Sequence, residues 1–150
     1  MHRNFASLFL VCALLSLAPP AAAAVTIQWS AVGDAGNAND TSGFGAVPYA
    51  YNIGTKDVTA SQYVEFLNAK DAGGLNALSL YNSNMSDATF GGISFTAGNL
   101  PGSKYGVIGV RGQHPANYTS WYDSIRFANW LHNGQGSGDT ETGGLHAGDA

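Results

Sequence analysis

A chain of 150 residues in which only 11% of side chains are charged, with six Lys or Arg against ten Asp or Glu and a net charge of −4, is sized for one domain around a single core. It lacks the clustered basic residues from which phosphate binding draws its affinity, which argues against nucleic acid as a partner. Its one cysteine, Cys12, offers no disulfide framework, so the loops must be held by packing, hydrogen bonds or bound ions.

The first element in chain order reads as a secretory leader over residues 1–24. His2 and Arg3 precede an apolar run from Phe5 to Leu17, and Ala22, Ala23 and Ala24 supply the small residues of an A-x-A cleavage site. The expected location is therefore outside the cytoplasm: extracellular, periplasmic or on the cell surface. The apolar run is short for a spanning helix of roughly 20 residues. Pro19 and Pro20 also interrupt it, so no membrane span is expected after cleavage. Leu10 and Val11 are a poor match to the small residues that precede a lipidated cysteine. Loss of Arg3 with the leader makes the exported chain one unit more negative than the whole.

Downstream, Asp34, Asn37, Asn39 and Asp40 share a glycine-containing loop. Val47, Tyr49, Tyr51 and Ile53 then alternate with smaller or polar residues, the period of a half-buried strand ending at Gly54. Thr59 and Gln62 form a T-x-x-Q capping box, with Val58 placed to staple onto Tyr63. Ala60, Tyr63, Val64 and Leu67 fall on one face of a helix expected from about Ala60 to about Ala69.

The stretch from Leu75 to Gly92 is rich in turn formers, including Asn76, Asn82, Asn84, Gly91 and Gly92. Short strands are expected at Ile93 to Phe95 and at Tyr105 to Val110. A second helix is marked at its start by Ser120 as cap, with Asp123 reaching back, and at its end by Gly134 as a left-handed stop. Trp121, Tyr122, Ile125, Phe127, Ala128, Trp130 and Leu131 cover more than one stripe, the pattern of a helix packed on several sides. Tyr63, Phe66, Trp121, Phe127 and Trp130 are thus the expected core aromatics, and Thr59, Gln62, Ser120 and Asp123 the residues that fix helix starts.

Two segments, YAYNIGTKDVTASQYVEFLNA from Tyr49 to Ala69 and PANYTSWYDSIRFANWLHNG from Pro115 to Gly134, together resemble the formylglycine-generating enzyme family, also called the sulfatase-modifying factor domain. The likeness is closest to a bacterial secreted branch and runs from Trp29 to about Gly138. What the resemblance implies for fold is an α+β, C-type-lectin-like domain, loop-rich and incomplete at its C-terminus. It divides the chain into a leader at 1–24, the N-terminal part of such a domain at 25–138 and an off-pattern tail at 139–150.

Oxidase members of the family hold copper with a late pair of cysteines and oxidise a sulfatase cysteine to formylglycine; complete members are also expected to take calcium. Thiolate sulfur is what selects Cu(I) over harder ions. Here the only cysteine lies in the leader, and GGLHAGDA at the end does not resemble the strand expected next. No catalytic residue, copper ligand or other cofactor residue carries over from the family.

The leading expectation is an exported domain of this type that does no catalysis in this chain, with protein or glycan at the cell exterior as the kind of partner. Two alternatives stand beside it. One is the front half of a copper-dependent oxidase whose cysteines lie further along the gene. The other is a lectin-like module for glycans or surface polymers, using exposed aromatics such as Tyr81 or Tyr118.

Two further constellations contain the residue types of sites. Asp34, Asn37, Asn39 and Asp40 carry oxygen-bearing side chains of the kind calcium takes, although their spacing departs from a D-x-[DN]-x-[DN]-G loop and fits an Asx-turn loop better. His114, Ser120 and Asp123 contain the residue types of a hydrolase triad, but the serine lacks a strand-to-helix elbow and helix capping accounts for both Ser120 and Asp123. Asn39, Asn84 and Asn117 sit in N-x-[ST] sequons, which carry little weight in so Asn-rich a chain.

Overall fold

The computed structural model describes residues 24–136. All of the leader but Ala24, including Cys12, and the tail at 139–150 lie outside the described residues. The chain runs β1 (Trp29–Val32), β2 (Tyr51–Gly54), α1 (Ala60–Lys70), a 3-10 turn at Ser83–Ser86, β3 (Ile93–Phe95), β4 (Tyr105–Val107), a second 3-10 turn at Arg111–Gln113, and α2 (Trp121–His132). This is a mixed α/β arrangement with two small antiparallel sheets. β1 pairs with β2 from Trp29 opposite Gly54 to Val32 opposite Tyr51, and β3 pairs with β4 from Ile93 opposite Val107 to Phe95 opposite Tyr105.

Local signals build both helices. At α1, Gln62 N donates to Thr59 Oγ1 at 3.3 Å, and Thr59 N donates to Gln62 Oε1 at 2.8 Å. At α2, Asp123 N donates to Ser120 Oγ at 3.2 Å, and Ser120 N donates to Asp123 Oδ2 at 2.8 Å. Each reciprocal pair satisfies two amides that would otherwise lack partners at the helix start. Substituting Ser120 by alanine is expected to cost about 1 kcal/mol, read as a lower midpoint of chemical unfolding.

The end of α2 is equally defined. Gly134 takes φ +80°, its N–H donates to Leu131 O at 3.4 Å and Gln135 N donates to Trp130 O at 2.9 Å, the paired bonds of a Schellman stop. α1 closes on Asp71, whose carboxylate accepts from Leu75 N at 2.9 Å, from Asn76 N at 3.0 Å and from the Tyr105 hydroxyl. One side chain thereby ties the helix end to the following loop and to β4.

The core forms where α1 and α2 meet. Phe66 is 0% exposed, and the rings of Tyr63, Phe127 and Trp130 each lie 5.4 Å from its own, centroid to centroid. Leu67, Leu80, Met85, Ile93 and Tyr105 continue this core towards the second sheet. There Tyr81, Phe95 and Tyr105 form a second ring cluster, with centroids 5.2 to 6.1 Å apart.

Trp121 corrects one expectation, being 75% exposed while Trp130 is 3% exposed. Their nine-residue separation is about two and a half helical turns, which puts them on opposite faces, and the core takes only the Phe127 and Trp130 face. Tyr122 is exposed for the same reason. Trp121→Ala is accordingly expected to shift unfolding stability by no more than about 0.5 kcal/mol, the range of surface substitutions.

The strands also differ from the expectation. β2 starts at Tyr51 rather than Val47, because Val47 is held by the preceding loop through Gly36 N→Val47 O at 2.8 Å and Val47 N→Asn37 Oδ1 at 3.0 Å, and Pro48 brings no amide to a ladder. β4 stops at Val107; Ile108 N turns to Gly92 O at 2.9 Å, Gly109 adopts φ +54°, and Val110 is 91% exposed.

Candidate functional site

The segments around α1 and ahead of α2 come together in space. Thr59 and Pro115 form an antiparallel bridge, flanked by Ala60 N→His114 O and Ala116 N→Val58 O, both at 2.8 Å. This backbone stitch sets the first turn of α1 beside the approach to α2. On its outer side an open groove of about 840 Å³ runs between the β1–β2 hairpin and α2.

One wall of the groove is Ile27, Trp29, Ile53 and the turn from Gly54 to Val58. The other is Pro115, Ala116, Asn117 and Thr119 leading into α2, whose Ser124, Phe127, Ala128 and Leu131 repeat at helical spacing along one face. Tyr63 is also part of the lining. Trp29 and Ile53 are each more than half exposed, so the hairpin wall presents apolar surface to solvent instead of filling the groove. The polar contribution is an amide and two hydroxyls on the α2 side, from Asn117, Thr119 and Ser124, with Lys56 and Asp57 at the turn. A smaller depression of about 320 Å³, lined by residues that include Thr26, Gln28, Thr55, Asp57, Gln62 and Gln113, adjoins it.

Buried tyrosines near the site are structural. Burial raises the Tyr63 phenol far above its ordinary value, the Asp123 carboxylate pushes the same way and Arg126 opposes it; the hydroxyl donates to Leu80 O at 2.9 Å. Burial raises Tyr105 as well, reinforced by its hydrogen bond to Asp71. Neither serves as a phenolate near neutral pH.

Ser120 and Asp123 face each other only as caps, and His114 is placed through its backbone, donating to Arg111 O at 3.0 Å and accepting from Ala60 N. In the loop of Asp34, Asn37, Asn39 and Asp40, the side-chain oxygens of the last three serve the loop's own amides, and Asp34 accepts from Asn37 N through its backbone carbonyl at 3.2 Å. Asn37 Oδ1 accepts from Val47 N at 3.0 Å, Asn39 Oδ1 from Ala46 N at 3.1 Å, and Asp40 Oδ1 from Ser42 N at 2.8 Å and Phe44 N at 3.2 Å. The Ser42 hydroxyl, followed by the Phe44 and Ser42 amides, holds the Asp40 carboxyl below its ordinary value. This is Asx-turn chemistry. Among the described residues, no three His, Cys, Asp or Glu side chains are grouped to hold a metal ion.

Tyr81 is not an open platform: it is partly buried, packs at a tilt against Phe95 and Tyr105, and donates its hydroxyl to Ile93 O at 3.1 Å. Tyr118 is partly exposed with φ +62°, a backbone region that bulky residues seldom occupy. Sequence reasoning missed Trp29, Ile53 and Ser124 as neighbours in one groove, since only the hairpin fold-back and the Thr59–Pro115 bridge bring them together.

No family model, curated protein or solved structure matches this chain. Its functional reading therefore rests on its own residues and geometry.

Proposed function

We propose that this chain is an exported, non-catalytic recognition domain of the sulfatase-modifying factor type, with a C-type-lectin-like arrangement of loops. The observation that carries the reading is the stitching of the two family-like segments into one unit, by the Thr59–Pro115 bridge and the rings around Phe66. The leader motif of residues 1–24 supports export, and the absence of any cysteine after Cys12 removes the thiolate pair that copper chemistry requires. Co-expressed without its leader in cells that lack formylglycine-generating activity, the chain is expected to leave a cysteine-type sulfatase inactive. Appearance of sulfatase activity would contradict the reading.

A second reading makes the groove a glycan-binding surface, favoured by one observation: the exposed Trp29 indole lines the same groove as Thr119 and as the side-chain oxygens of Asn117 and Ser124, whose own donors are bonded to Phe90 O and Ser120 O. Sugars offer an apolar ring face to aromatics and hydroxyls to amides, which matches that mix. Calorimetric titration with a panel of soluble oligosaccharides is expected to give a ligand whose heat disappears in Trp29→Ala and persists in Trp121→Ala. Flat titrations across the panel would remove this second reading and leave the first standing.

A further inference from the structure

Two distant parts of the chain meet at one side chain. Val25 N donates to Gln135 Oε1 at 2.6 Å, and Gln135 Nε2 donates to Val25 O at 2.7 Å, a contact spanning 110 positions of sequence. A carboxamide offers an acceptor and a donor side by side, as a neighbouring strand edge does, and here it takes both backbone groups of a single residue. Gln135 is aimed from the Schellman turn: its φ is +62° and its own N–H is bound to Trp130 O. Trp130 Nε1 also donates to Gly136 O at 3.1 Å, so the segment presenting the carboxamide is fixed to one core residue, through its backbone carbonyl and through its indole. Val25 itself is 8% exposed and belongs to the core, while Ala24 before it and Thr26 after it are exposed.

The residue held in this way is the first one after the A-x-A motif of Ala22, Ala23 and Ala24. We infer that Gln135 is the docking site for the new N-terminus of the processed chain, and that leader removal cuts the Ala24–Val25 bond. The inference rests on the export reading. In the cut, water adds its hydroxyl to the Ala24 carbonyl carbon as the C–N bond breaks; the Val25 nitrogen gains the proton and a second from solvent to become an α-ammonium. That ammonium keeps its bond to Gln135 Oε1, now charge-assisted and stronger than the amide's. Its remaining protons face the exposed position that Ala24 leaves, where water can solvate them. The Val25 carbonyl keeps its bond from Gln135 Nε2. Because the carboxamide reads only backbone, the choice of residue comes from the buried Val25 side chain, which sets where along the chain the docking occurs.

The test uses the whole chain with its own leader, expressed in an exporting bacterial host, and the exported protein is analysed by intact mass and N-terminal sequencing. The expected first residue is Val25. The folded exported protein is then acylated with a limiting amine-reactive ester, and the rate at the Val25 α-amine is compared with that of Gln135→Ala and Gln135→Glu. Acylation in Gln135→Ala is expected to be roughly tenfold faster, the factor that loss of one such bond pair gives. Gln135→Glu, which retains an acceptor oxygen for the ammonium, is expected to restore most of the protection, and each variant's fold is checked by far-UV circular dichroism. A leader removed at another bond, or equal acylation rates in all three proteins, overturns the inference while export stands. Retention of the leader overturns both.

Discussion

Phe66→Ala is expected to destabilise the domain by about 3 to 5 kcal/mol, the range for deleting a fully buried aromatic ring. The reason is its position: three other rings contact it at 5.4 Å, two of them from α2, so the cavity opens at the one place where both helices meet. Neighbouring rings are fixed on helices by their caps and cannot collapse far into the space. Tyr63 is further restrained by its hydrogen bond to Leu80 O. Equilibrium unfolding in urea, compared with wild type, gives the measurement. A midpoint unchanged by the substitution would show that the rings do not form one core.

Gly91→Ala is the second large effect, and it arises from backbone crowding. A Cβ at Gly91 would stand 2.2 Å from Met85 O, 2.6 Å from Met85 C and 2.7 Å from Asp87 O. These are main-chain atoms of and just after the 3-10 turn, pinned by Gly91 N→Asp87 O at 3.0 Å and Gly92 N→Met85 O at 2.8 Å. The turn must move to admit the methyl group, and it carries Met85, which is buried in the core. The expected cost is about 3 kcal/mol, at the upper end of ordinary overpacking. Gly112→Ala provides the contrast, because the nearest atom there is the Ser61 hydroxyl at 2.5 Å, which can rotate away. Denaturant unfolding should therefore rank Gly91→Ala well below Gly112→Ala in stability; the reverse order would refute this packing of the loop against β3.

Helix starts were legible because a capping box is a local signal, complete within four residues, and its chemistry does not depend on what the helix packs against. Phase was not legible in α2. With Trp121, Tyr122, Phe127 and Trp130 distributed around the helix, hydrophobicity alone does not say which face meets α1, and the core uses the face that excludes Trp121. β1 escaped notice for another reason: four mostly exposed residues carry almost no pattern, and their partner strand lies beyond a long loop. The 3-10 turn that buries Met85 was hidden in an Asn- and Ser-rich stretch where turn propensity is uniform.

The site was legible only in its parts. Thr59 stood out in sequence as a cap and Pro115 only as the start of the segment running to Gly134, yet the bridge between them, and the groove it shapes, depend on the return of the chain after β4. Gln135 gave no signal at all, since a single polar residue after a helix stop resembles any surface glutamine until Val25 is seen against it. The loop of Asp34, Asn37, Asn39 and Asp40 was legible as an Asx-turn loop from its spacing, and the side-chain oxygens of Asn37, Asn39 and Asp40 do accept from local amides.

If the chain is a recognition domain that has no copper chemistry of its own, the most direct measurement is mass spectrometry of a sulfatase-type cysteine peptide incubated with the purified exported chain, Cu(I), a thiol reductant and oxygen. The expected result is a peptide with its cysteine thiol intact, at the same level as in a control with copper alone. Conversion of that cysteine to formylglycine above the control would contradict the proposed function.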